Sequence, residues 1–164
     1  MRAIRLVVFD ADDVIFSSSS DCYLGQAVLP VRRTDSDTVE DAAGHRIRLD
    51  SEARFVLQEL RNRGIHVSLN SVNKPREANA IIHILELDRI FEYPKINFSD
   101  KGANMLEILG DFNKSNVAIH PDDVMFIDDV AEFCIDVKRA LGGKGLVLQM
   151  NKDISHLSEL LRFL

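Results

Sequence analysis

Cysteine is scarce in this chain: Cys22 and Cys134 are the two among 164 residues, and they stand at no metal-ligand spacing. That argues against a disulfide framework or a thiolate zinc site, and the pair reads as reduced thiols in a cytoplasmic protein. The five histidines are scattered, which also speaks against zinc. No apolar run approaches the length of a membrane span, and no signal-peptide apolar core stands near the N-terminus, so neither a membrane nor secretion is expected. Basic tracts are missing too. Arg32-Arg33 and Lys138-Arg139 stay isolated pairs in a chain of net charge −6, so no nucleic-acid partner is expected. What is present, 46% apolar and 28% charged residues, is the makeup of one globular domain spanning residues 1–164.

Hydrophobic patterning predicts the elements. Residues 3–9 (AIRLVVF) are a short, continuous, β-branched run that suits a strand covered on both faces. Over 17–48 the pattern lapses into Ser, Gly and Asp with brief apolar alternations. This predicts a small insertion holding a β-hairpin rather than a second domain, with Ser17–Ser20 as its flexible entry. Ala53, Val56, Leu57 and Leu60 mark a helix from Asp50 to a cap at Gly64. Strands follow at 65–69, 93–98, 124–127 and 145–150. Helices fall between them: one opened by Pro75, one marked by Met105, Ile108, Leu109 and Phe112, one over 130–141, and a last one over 154–163. Five strands separated by helices predict a mostly parallel sheet in a doubly wound, Rossmann-like α/β fold.

In such sheets functional groups gather beyond the carboxyl ends of the strands. Here the first strand ends in Asp10, Asp12 and Asp13, the second in Asn70 and Ser71, and the fourth in Asp128 and Asp129. Lys101 follows the third. Two carboxylates about 4 Å apart repel by roughly 4 kcal/mol at an effective dielectric near 20, so such a cluster needs protons or a cation. An all-oxygen donor set suits Mg²⁺, which keeps waters and shares its sphere with a phosphate. Carboxylates, a lysine and a hydroxyl together make a cradle for a phosphoryl group. Asp10 and Asp12, two apart on an extended tip, are expected to face one way and Asp13 the other. Asp129 reads either as part of the metal site or as N-cap of the 130–141 helix, and Asn73 either as a cap for the helix opened by Pro75 or as a substrate contact, with the cap preferred.

Four motifs in order carry a resemblance: FDADDV (9–14), SLNS (68–71), Lys101 and MFIDDV (125–130). Over nearly its whole length the chain resembles the haloacid dehalogenase (HAD) superfamily of aspartate-nucleophile phosphatases. It is most similar to the magnesium-dependent acid phosphatase family. The resemblance implies a HAD core with residues 17–48 as a small cap. It implies Asp10 as nucleophile, Asp12 as acid and base, Ser71 and Lys101 as phosphate ligands, and Mg²⁺ at Asp10, the Asp12 carbonyl and Asp128, with Asp129 close by. The substrate would be a phosphorylated small molecule or a phosphoprotein. Val14 stands where the superfamily often has threonine, and VNKP follows Ser71 where the magnesium-dependent phosphatases often have arginine and threonine. The latter leaves substrate preference open. A phosphotransferase or low-turnover phosphate-binding relative uses the same scaffold. A response-regulator receiver is disfavoured, since its phosphorylated aspartate ends the third strand and here Asp100 comes only after a serine.

Overall fold

The computed structural model describes residues 3–164. Its first strand, β1 (Leu6–Phe9), is wholly buried, as the continuous apolar run requires. The insertion then carries a 3₁₀ turn (Leu24–Gln26) and three short strands, β2 (Arg32–Arg33), β3 (Thr38–Glu40) and β4 (Arg46–Arg48). Alternating elements follow: α1 (Ala53–Asn62), β5 (His66–Val72), α2 (Pro75–Ile84), β6 (Lys95–Asn97), α3 (Lys101–Lys114), β7 (Val124–Asp128), α4 (Ala131–Ala140) and β8 (Leu146–Gln149). A 3₁₀ helix, Leu157–Phe163, closes the chain.

The five main strands form one sheet in the order β6-β5-β1-β7-β8, every pairing parallel. Counting only these strands, the order is 3-2-1-4-5. That is the Rossmann arrangement, whereas receivers run 2-1-3-4-5. The first strand is therefore central, and the order reverses between β1 and β7. Side chains alternate across the sheet. Val7 and Phe9 pack with Val56, Leu57, Leu60 and Ile81 on one face, while Leu6 and Val8 pack with Met105, Ile108, Phe112 and Val137 on the other. Among the described residues no helix is long and apolar enough to cross a membrane.

Several expectations need correction. The insertion holds a three-stranded antiparallel sheet, β2-β3-β4, rather than a hairpin. Val39 and Ile47 pair across β3 and β4 and are buried, but β2 is two exposed arginines with no apolar signal of its own. The C-terminal helix is 3₁₀, and its buried Leu157 and Leu160 at spacing three suit three residues per turn. β5 runs through Asn70 and Ser71 to Val72, because β6 pairs with those residues. Asp129 does not cap α4: Val130 holds that position without a side-chain bond. Asn73 does not cap α2 either, whose N-cap is Lys74.

Candidate active site

Register brings the acidic strand ends together. Phe9 lies beside Ile127, and the Asp10 amide donates to the Ile127 carbonyl at 2.9 Å, so Asp10 and Asp128 emerge side by side at the crevice. Lys101 reaches them from the first residue of α3, whose N-cap, Asp100, accepts from the Ala103 amide at 2.8 Å. The lysine is 1% exposed. Its Nζ donates to Asp10 Oδ1 at 2.6 Å, to Asp128 Oδ2 at 2.8 Å and to the Asn70 carbonyl at 2.7 Å, which engages all three ammonium protons. Asp128 Oδ1 accepts from the Val130 amide at 2.9 Å.

Buried amides hold the lysine in place. Asn70 Nδ2 donates to the Lys101 carbonyl at 2.9 Å. Asn104 Nδ2 donates to Asn70 Oδ1 at 3.2 Å and to Asn97 Oδ1 at 2.9 Å. Nothing in the sequence pattern singled out Asn97 or Asn104, because uncharged amides leave no periodic signature.

Electrostatics follow from burial. Desolvation pushes Asp10 up to about 8; the Lys101 ammonium opposes this and Asp128 reinforces it. Burial alone would lower Lys101, but Asp10 and Asp128 outweigh it and hold the amine protonated. Asp129, half-buried, is pushed up to about 6 by burial and then by Asp128. Asp10, Asp128 and Asp129 each offer a carboxylate oxygen within 4.8 Å of the others. Three carboxylates face one ammonium. The surplus negative charge and the all-oxygen donor set fit a hard divalent cation such as Mg²⁺.

Asp12 is placed differently. Its Oδ1 accepts from the Leu24 amide at 3.0 Å, within the insertion, and its Oδ2 from Asn73 Nδ2 at 2.8 Å. Burial raises its pKa, against both hydrogen bonds. Asp10, Asp12, Asp13, Asn73 and Asp129 border one cavity of about 210 Å³. Asp13 is thus not turned away from its neighbours. The chain past Asp10 is a tight loop rather than extended strand: the Ala11 carbonyl accepts from the amides of Ile15 and Phe16 at 3.0 and 2.9 Å, and Asp13 has a φ of 60°. Strand alternation does not apply there. Ser71, 1% exposed, does not border that cavity; its Oγ accepts from Asn73 Nδ2 at 2.7 Å.

A 3-2-1-4-5 parallel sheet with two acidic strand ends clasped by a lysine is the arrangement that the resemblance to the HAD phosphatases implies. The chain belongs to the Acid Phosphatase family, whose sequence profile matches residues 2–149. Solved structures share the fold. A HAD-superfamily hydrolase from Ehrlichia chaffeensis superposes with a TM-score of 0.73 at 14% identity, covering 99% of this chain and 97% of that one. A HAD-superfamily hydrolase of subfamily IA from Geobacter sulfurreducens gives 0.68 at 15% identity, covering 99% and 100%. The N-terminal, phosphatase-containing part of a Bacteroides fragilis protein, complexed with Mg, gives 0.67 at 18% identity. That match covers 98% of this chain, which spans only 39% of the Bacteroides chain. Comparison with curated proteins returned no match.

Proposed function

We propose that the chain hydrolyses phosphomonoesters through a phosphoryl group carried on Asp10. The observation that carries this reading is the Lys101 clasp, which fixes Asp10 and Asp128 at 2.6 and 2.8 Å across the two strand ends. An Asp10 oxygen attacks phosphorus, and the bond from phosphorus to the ester oxygen breaks. Asp12 gives its proton to that leaving oxygen. In the second half-reaction the Asp12 carboxylate takes a proton from water as the water oxygen attacks phosphorus, which releases phosphate and restores Asp10. The raised pKa of Asp12 suits a group that must both hold and release a proton. Lys101, whose three protons are engaged within the protein, offsets charge on Asp10 and on the transferring phosphoryl group, and Ser71 is read as a phosphate ligand on the resemblance.

Asp10, Asp128, Asp129 and the Asp12 carbonyl are the oxygens that would hold Mg²⁺, which when bound neutralises phosphate charge. The small sheet within 17–48 is read as a cap, supported by the Leu24 amide reaching Asp12. A second cavity of about 460 Å³, bordered by Asp12, Ser20, Tyr23 and Gln26, offers room for the leaving group of a phosphorylated small molecule or phosphoprotein side chain. The free thiols of Cys22 and Cys134 accord with a cytoplasmic setting.

The test is release of p-nitrophenol from p-nitrophenyl phosphate with Mg²⁺. The purified chain should be active, lose activity on chelation with EDTA, and lose about 10³-fold or more in D10N. Turnover surviving in D10N would sink the mechanism.

A further inference from the structure

Asn73 lies outside the roles assigned above, yet it is buried at 6% exposure and each polar atom of its side chain is used. Its Nδ2 donates to Asp12 Oδ2 at 2.8 Å and to Ser71 Oγ at 2.7 Å, and its Oδ1 accepts from the Gly25 amide at 3.0 Å. The amide can point only one way, because the Gly25 N–H requires an oxygen and the Asp12 carboxylate a donor. The fit is tight from the insertion side: a Cβ on Gly25 would lie 2.6 Å from Asn73 Oδ1 and 3.0 Å from the Lys74 amide nitrogen.

We propose that Asn73 is a positioning residue that aims the Asp12 carboxyl at the leaving oxygen and ties that aim to the seating of the insertion. This deepens the phosphatase reading and rests on it. Asp12 is gripped at both oxygens, by Leu24 from the insertion and by Asn73 from the loop after β5. The same Asn73 N–H₂ group makes Ser71 Oγ an acceptor and leaves the serine's own proton free of that bond. Asn73 therefore links acid, phosphate ligand and insertion, and a shift of Leu24-Gly25 is felt at all three.

A positioning role for the acid has a signature that mere structural support lacks. p-Nitrophenolate departs without a proton, whereas an alkoxide needs one from the general acid. The experiment compares kcat/KM for p-nitrophenyl phosphate and for glycerol 2-phosphate, with Mg²⁺, in the wild type, N73D, N73L and G25A. N73D keeps the shape and the acceptor facing Gly25 but replaces both N–H donors. In N73D and N73L the glycerol phosphate loss should exceed the p-nitrophenyl phosphate loss by about tenfold or more, within the range that general acids supply. G25A, which displaces the Asn73 oxygen, should shift the ratio the same way. A ratio within about twofold of wild type in soluble, folded N73D overturns the proposal and leaves the phosphatase reading standing. A wild type that hydrolyses neither ester refutes that reading and the positioning role with it.

Discussion

Lys101 donates its three ammonium protons inside the molecule, two of them to carboxylates that are themselves 11% and 0% exposed. Removing one partner of a buried charge cluster leaves the other charges unpaired, which costs about 3–5 kcal/mol. Lys101→Met keeps the length and apolar body of the side chain. Its urea unfolding free energy at pH 8 in EDTA should fall by that amount, with a smaller fall in Mg²⁺; a loss under about 1 kcal/mol would contradict the clasp. The charged members of the site were legible in sequence because charge is visible there: carboxylates at two strand ends and a lysine after a third. Asn70 is placed at a strand end by the sequence but gives no sign there of its bond to Lys101, and Asn73 reads first as a cap. Asn73 sits just ahead of Lys74-Pro75, where a helix cap is the ordinary use of an asparagine, and only the folded contacts show it bonded to Asp12 instead.

At the level of elements, the site depends on how closely α3 and α4 approach. Gly102, next to Lys101, makes room for that approach: a Cβ there would lie 3.1 Å from the Asp136 carbonyl oxygen and from Ala140 Cβ, and 3.0 Å from Asp100 Oδ1. Gly102→Val should destabilise the protein by about 1–3 kcal/mol through overpacking and reduce hydrolysis by displacing the first turn of α3; unchanged stability and turnover would contradict this. The five parallel strands and the helices between them were readable because continuous apolar runs and 3.6-residue spacing report burial directly. Element ends were less so. The apolar pattern predicts a second strand that stops at residue 69, yet Asn70 and Ser71 pair with β6 and are buried, their polarity matched by Asn104, Lys101 and Asn73. The exposed β2 gives no apolar cue, and the 3₁₀ tail shares its i,i+3 leucines with an α-helix pattern.

For the whole molecule, the acidic crevice makes stability depend on pH and cation. Asp10 and Asp129 have folded values raised to about 8 and about 6 from 3.8. Between about pH 4 and 8 the folded state thus binds more protons than the unfolded one, and stability falls as pH rises through that window. Asp41, in the turn between β3 and β4, works oppositely. Burial would raise it, but the amides of Val28, His45 and Ala43 and the His45 ring hold it down to about 2, so its contribution is lost as pH falls from about 4 towards 2. In EDTA, Tm should decline from pH 5 to pH 8. Mg²⁺ should raise Tm, most at pH 8, since a cation favours the ionised carboxylates. A flat, Mg²⁺-insensitive Tm would contradict this balance.

The account turns on a covalent phosphoryl group at one residue. Rapid quenching of the chain during turnover with Mg²⁺ and substrate, followed by borohydride reduction and peptide mass spectrometry, reads this directly, because borohydride reduces an acyl phosphate to the alcohol. Homoserine at position 10 in the peptide containing residues 6–16 is the predicted result. An unmodified position 10 in protein that is turning over substrate, or a reduced aspartate elsewhere, would contradict it.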